Sequence, residues 1–128
     1  MKLIQKAVLK NGDKYLILLR SPKAPYFPLH WDLPGGTLEK NEDPLFGIIR
    51  EVKEETALDI KPIEVVGVYE FDLKNAGTIT HRFTLYSTET LSGELKISSE
   101  HIDQRWATKE EILQLPREPY FDLFLKKL

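Results

Sequence analysis

There is no cysteine anywhere in the 128 residues. That absence excludes a disulfide framework, a thiolate zinc site and a cysteine nucleophile together, and it suits a reducing compartment. Long hydrophobic runs are missing as well. The longest aliphatic stretch, Tyr15 to Leu19, is far too short to span a bilayer. The first ten residues, MKLIQKAVLK, alternate charge with apolar side chains and lack the apolar centre of a signal peptide. A cytoplasmic location is the expectation. Nor does one sign of charge dominate: 18 Lys and Arg face 20 Asp and Glu. Neither nucleic acid nor an anionic membrane is therefore an expected partner. Internal repeats, low-complexity segments and coiled-coil stripes are also lacking, so the pattern leaves the oligomeric state open. What is left suits a single domain over residues 1–128, able to bury about two thirds of its unfolded surface without a staple.

The local patterns predict an α+β domain with a mixed sheet between helices. Leu3–Leu9 and Lys14–Arg20 are β-type runs, and Asn11-Gly12-Asp13 between them reads as a hairpin turn. The segment SPKAPYFPLHWD carries Pro22, Pro25 and Pro28 and reads as a loop, with Tyr26, Phe27, His30 and Trp31 in it. Asp43-Pro44 marks a helix start, an N-cap residue followed by a proline suited to the first turn. Leu45, Ile48, Ile49 and Val52 follow the spacing of a buried stripe. Strands are expected over Ile63–Leu73, Thr78–Thr88 and, at an edge, Leu91–Ile97, with a turn at Asn75-Ala76-Gly77. Thr108-Lys109-Glu110-Glu111 is a capping box opening a helix that ends near Pro116. Tyr120–Leu128 reads as a short terminal helix.

The helix from Pro44 to about Thr56 carries three glutamates. With Glu51 set to zero, Glu54 falls near 300° and Glu55 near 40°, whereas the apolar stripe spans roughly 60° to 160°. The three thus share one face beside the packed one, which for most helices is simply solvated. Their position in the last turns is electrostatically unfavourable, because the macrodipole there is negative. A missing cation would resolve that conflict. Oxygen-only donors without cysteine suit Mg²⁺ or Mn²⁺ rather than zinc.

Residues 36–58, GTLEKNEDPLFGIIREVKEETAL, resemble the Nudix box. Gly36, Glu42, Arg50, Glu51, Val52, Glu54, Glu55 and Leu58 match it, and Ala57 stands where the pattern has glycine. Trp31-Asp32-Leu33-Pro34-Gly35 resembles the usual lead-in to the box. Ser99-Glu100-His101, then Trp106 and a capped helix, resemble the C-terminal layout of the family. The resemblance implies a Nudix-type α/β/α sandwich that cleaves a nucleoside diphosphate linked to another moiety by metal-activated water. It implies Glu51, Glu54, Glu55 and the Gly35 carbonyl as ligands of Mg²⁺, or of Mn²⁺. Arg50 would orient the glutamates within a charged network that includes Glu42, and Gly36 would be part of the box framework. The base would be a helix glutamate, Glu51 first, or a later-loop glutamate, Glu100. A glycine at 57 would end the helix in a left-handed conformation. Ala57 either holds that geometry at about 1 kcal/mol or lets the helix run on.

Outside the box, Arg20, Tyr26, Phe27 and Arg82 are the substrate-binding candidates. Trp31 reads as packing, and His101 as structural. His81 and Phe83 share one face of their strand and Arg82 the other, and either face can line a pocket. Gly35-Gly36 is no P-loop, because no Gly-Lys-Ser/Thr follows. A small-molecule nucleotide is the expected partner, with a nucleoside triphosphate, standard or modified, the leading substrate. Dinucleoside polyphosphates, ADP-ribose and nucleotide sugars follow, and a non-catalytic nucleotide-binding module is the rival from another class. The near-neutral total conceals an acidic segment: residues 36–58 hold six acids against three bases.

Overall fold

A computed structural model describes residues 1–127. The elements in chain order are β1 (Lys2–Val8), β2 (Lys10–Asn11), β3 (Lys14–Arg20), β4 (Trp31–Asp32), β5 (Gly35–Thr37), α1 (Pro44–Thr56), β6 (Asp59–Phe71), β7 (His81–Ser92), β8 (His101–Thr108), α2 (Lys109–Ile112), α3 (Tyr120–Phe124) and a 3₁₀ turn, Leu125–Lys127. They form two sheets. The first has the order β5-β1-β7-β6, with β1 and β7 parallel and the other pairs antiparallel. In the second, β3 pairs with β2 and β4 along one edge and with β8 along the other.

The middle of β3 is buried on both faces, from Tyr15 to Leu18. Tyr15 and Ile17 join a cluster with Phe83, Ile112, Tyr120, Phe121 and Phe124, under α2 and α3. Leu16 and Leu18 join Ile48, Val52, Leu58 and Ile60 under α1. Helices thus cover both faces of the sheet layer, which is the α/β/α arrangement expected.

Several local expectations need correction. The hairpin is confined to Lys10–Asn11 against Lys14–Tyr15, because β1 leaves at Leu9 to pair with β7 in the other sheet. Its two linking residues are Gly12 and Asp13, with the positive φ (63°) at Gly12 alone. Trp31 and Asp32, assigned from their prolines to a loop, pair with Leu19 and Leu18. Among the described residues no separate strand covers Leu91–Ile97: β7 runs on to Ser92 and the chain is then irregular to Glu100. The amides of that segment go elsewhere. Lys96 N donates to Thr56 O (2.9 Å) and Ser98 N to Glu55 O (3.0 Å), satisfying carbonyls that the end of α1 leaves free. Strand β8 had no sequence signal, because Ile102–Arg105 are all exposed and their alternation is lost.

Helix α1 has the expected limits. Asp43 caps it by accepting from Leu45 N, and Ala57 ends it in the left-handed region at φ 64°. Its buried side is rolled from the expected stripe. Ile48 and Val52 are buried, but Leu45 and Ile49 are exposed, and Glu55 and Thr56 lie inside instead. The Asn75–Gly77 turn is present, its amides at Ala76 and Gly77 donating to the Asp72 carboxylate. The capping box at Thr108 and Glu111 forms on a helix of only four residues. The terminal helix spans Tyr120–Phe124 and passes into the 3₁₀ turn; its expected last residue, Leu128, lies outside the described residues. Among the described residues no helix is long and apolar enough to cross a membrane.

Candidate active site

A cleft of about 620 Å³ opens where β1, β7 and the start of β8 meet the glycine strand β5 and helix α1. Its floor is set by backbone contact. Lys6 faces Gly35 and Gln5 faces Gly36 across the β1–β5 ladder. Gly35 has φ 146°, and a Cβ there would run into the Gln5 carbonyl, so only glycine permits this approach. A Cβ on Gly36 would collide with the carboxylate of Glu51.

One wall is acidic. Glu51 and Glu55 line it, with Glu39 and Glu100 nearby. Arg50 stands behind, outside the cleft lining. Its Nε donates to Glu42 (2.6 Å), its Nη2 to Glu42 and Glu51 (both 3.0 Å), and its Nη1 to both oxygens of Glu54 (3.2 Å). The bond to Glu42, followed by those to its other carboxylates, raises the guanidinium pKa further. In return Arg50 holds the Glu42 carboxyl below its usual range. Glu51 moves the other way. Burial raises its pKa against the opposing pull of Arg50, and the like charges of Glu54 and Glu100 add to the rise.

Glu55 is almost fully buried and is held differently. Its Oε1 accepts from Gly35 N at 2.6 Å, and its Oε2 lies 3.3 Å from His101 Nδ1. Burial pushes its pKa up to about 7, against the attraction of Lys6. Behind it is a set of buried charges. Asp32 accepts from Arg20 (3.0 Å) and Lys6 (3.4 Å) and lies 3.0 Å from His101 Nε2. Burial works against its charge, but Lys6, His101 and Arg20 keep its pKa low. Burial opposes a charge on His101 too, yet Asp32 and Glu55 raise its pKa. Glu118, also buried, sits 3.6 Å from Arg20 and leaves Oε2 without a hydrogen-bond partner.

The rest of the lining is basic and aromatic: Lys2, Lys6, Arg20 and Lys23 with Tyr26, His81 and Phe83. Tyr26 meets His81 edge to face, with 5.2 Å between ring centroids. The structure brings Glu51, Glu55, Gly35, Gly36, Glu100, Arg20 and Tyr26 to this cleft. Glu54, Arg50 and Glu42 adjoin it through their ion pairs. Phe27 packs instead on His30, outside the lining, and Arg82 pairs with Glu70 on an exposed strand face. Trp31 is core. Sequence reasoning overlooked Lys6, Asp32 and Glu118. Lys6 had a signal: it shares a strand face with Ile4 and Val8, where a lysine is out of place.

The acidic wall offers only carboxylate and backbone oxygens, a donor set suited to a hard divalent cation. Among the described residues no three carboxylates or imidazoles are gathered closely enough to hold an ion without rearrangement. Glu54 is the side chain that must turn, since both its oxygens are on Arg50. It is exposed and free to do so.

Comparison with known proteins agrees with this fold. Residues 5–128 match the NUDIX domain model, and the chain belongs to that family, whose enzymes hydrolyse acid anhydrides. A MutT-like protein of Streptomyces ambofaciens is 33% identical over 90 residues, 70% of this chain, which spans only 55% of that relative's length. A CTP pyrophosphohydrolase of Escherichia coli (strain K12) is 27% identical over 121 residues, 93% of this chain and 86% of that protein. The crystal structure of a MutT protein from Methanosarcina mazei Go1 superposes with a TM-score of 0.86 at 28% identity, covering 98% of this chain and 91% of that one.

Proposed function

We propose that the protein hydrolyses a phosphoanhydride bond of a nucleoside diphosphate linked to a further group, with a nucleoside triphosphate as the leading substrate and Mg²⁺ or Mn²⁺ required. The observation that carries this reading is the mixed lining of the cleft. Glu51 and Glu55 share it with Lys2, Lys6, Arg20 and Lys23 and with the rings of Tyr26, His81 and Phe83. A polyphosphate needs cationic groups, a base needs flat apolar ones, and a cleft of about 620 Å³ is of ligand size. The likeness to a CTP pyrophosphohydrolase over nearly its full length supports a triphosphate.

Glu51, Glu54 and Glu55, with the Gly35 carbonyl, would hold the cation. When bound, it would neutralise phosphate charge and acidify a water. The chain's own groups do the rest. Arg50 orients Glu51 and keeps Glu54 close by. Glu51, whose pKa is raised by burial and by Glu54 and Glu100, is a fitting acceptor for the proton of an attacking water, and the nearby Glu100 is the other. Arg20 and the lysines draw the phosphates in, and Tyr26 offers an edge for the base.

A panel of nucleoside triphosphates, dinucleoside polyphosphates, ADP-ribose and nucleotide sugars, each with Mg²⁺ or Mn²⁺ and with products identified, tests the proposal. Pyrophosphate or phosphate release from a triphosphate is the expected result. Binding without turnover across the whole panel would leave a nucleotide-binding module and end the catalytic reading.

A further inference from the structure

The imidazole of His101 joins two carboxylates from distant parts of the chain. Nε2 lies 3.0 Å from Asp32 Oδ1, and Nδ1 lies 3.3 Å from Glu55 Oε2. His101, Asp32 and Glu55 are only 7%, 0% and 4% exposed, so water has little access to either contact. The Asp32 end is fixed, because Arg20 and Lys6 also donate to that carboxylate. The Nδ1 end faces Glu55 but makes no aligned hydrogen bond, and among the described residues it has no other partner. Glu55 has its other oxygen on Gly35 N. Arg50, which restrains Glu51 and Glu54, makes no bond to Glu55. The buried glutamate therefore has its own restraint, supplied from the start of β8.

We propose that His101 is a positioning residue: anchored on Asp32, its ring fixes the direction in which Glu55 presents its carboxylate to a divalent cation in the cleft. This rests on Glu55 being one of the cation-holding residues, as proposed above. Without the ring, Glu55 is tethered only through Gly35 N and rotates about that single bond. Outer partners that orient metal-holding side chains are typically worth about 10- to 100-fold in metal affinity.

The test is Mn²⁺ binding to the nucleotide-free protein, followed by electron paramagnetic resonance. Wild type, His101→Phe, Glu55→Gln and the double variant are compared, with circular dichroism to check folding. The expected result is a loss of about 10- to 100-fold in Mn²⁺ affinity for His101→Phe. That loss should vanish in the Glu55→Gln background, since a residue acting through another has no independent effect once its target is removed. Unchanged affinity in His101→Phe, or an equal loss in both backgrounds, overturns the proposal. Should His101→Phe not fold, His101→Gln keeps a polar group at the site and is read by the same criterion. If Glu55→Gln leaves affinity intact while Glu51→Gln lowers it, the inference about His101 falls and the hydrolase reading stands. If no variant or wild type binds Mn²⁺, both fall.

Discussion

Gly36 lies against the carboxylate of Glu51 so closely that the space between them has no room for a methyl group. The glycine strand and the glutamate helix are therefore in direct register. Gly36→Ala should displace Glu51 while leaving the β1–β5 ladder intact. The expected loss in kcat/KM is about 100-fold, the scale associated with a 1 Å misplacement of a reacting group. Steady-state kinetics with circular dichroism checks it, and near-normal activity would show that the Glu51 position is not critical.

The Glu54 side chain is 60% exposed, and among the described residues its only bonds are to Arg50. Glu54→Gln should fold normally and lose activity by more than the roughly 10- to 100-fold usual for an outer-shell partner. Chelation with EDTA should silence the wild type reversibly without melting it, because neither hydrophobic cluster includes Glu51, Glu54 or Glu55. Turnover in excess EDTA would contradict the role given to these glutamates.

Ala57 ends α1 at φ 64°, ψ 10°, and its N–H bonds to Lys53 O. An alanine held there costs about 1 kcal/mol relative to a residue without Cβ. Ala57→Gly should raise the melting temperature by about 4 °C and leave kcat unchanged. A fall in melting temperature would mean that unfolded-state entropy outweighs the relief of strain.

Glu111 accepts from Thr108 N and from Arg105, and these bonds pull its pKa from 4.5 down to about 2. A carboxyl with a depressed folded-state pKa contributes stability that is complete above its unfolded value and disappears as acid protonates it. The contribution should fade between pH 4.5 and about 2. Melting curves of Glu111→Gln across that range should therefore show a weaker acid-side decline than wild type. Parallel declines would dismiss the capping box as a source of acid sensitivity.

How much of this was legible in advance depended on how local each signal was. The limits of α1 were readable because Asp43-Pro44 and Ala57 act within one turn of the chain. The capping box at Thr108 was readable for the same reason. Which side of α1 is buried was not, since Glu55 is drawn inward by Gly35 and faces His101, 20 and 46 residues away in sequence. Lys6 stands out beside Ile4 and Val8, but its partner Asp32 lies 26 residues on and no local pattern points to it. Leu91–Ile97 read as a strand, because the partners of the Lys96 and Ser98 amides, the carbonyls of Thr56 and Glu55, are invisible to periodicity. The carboxylates of the box were legible as a group from their spacing, and Arg82 and Phe27 show where spacing alone reaches no further.

The two amides of Lys96 and Ser98 that end on Thr56 O and Glu55 O have a dynamic consequence. The last turn of α1 cannot fray on its own, because its free carbonyls are already occupied by the strap leading to Glu100. Hydrogen–deuterium exchange should therefore find the strap and the helix end opening together, with one common protection factor. The cleft then gains and loses its acidic wall as a single cooperative unit rather than residue by residue.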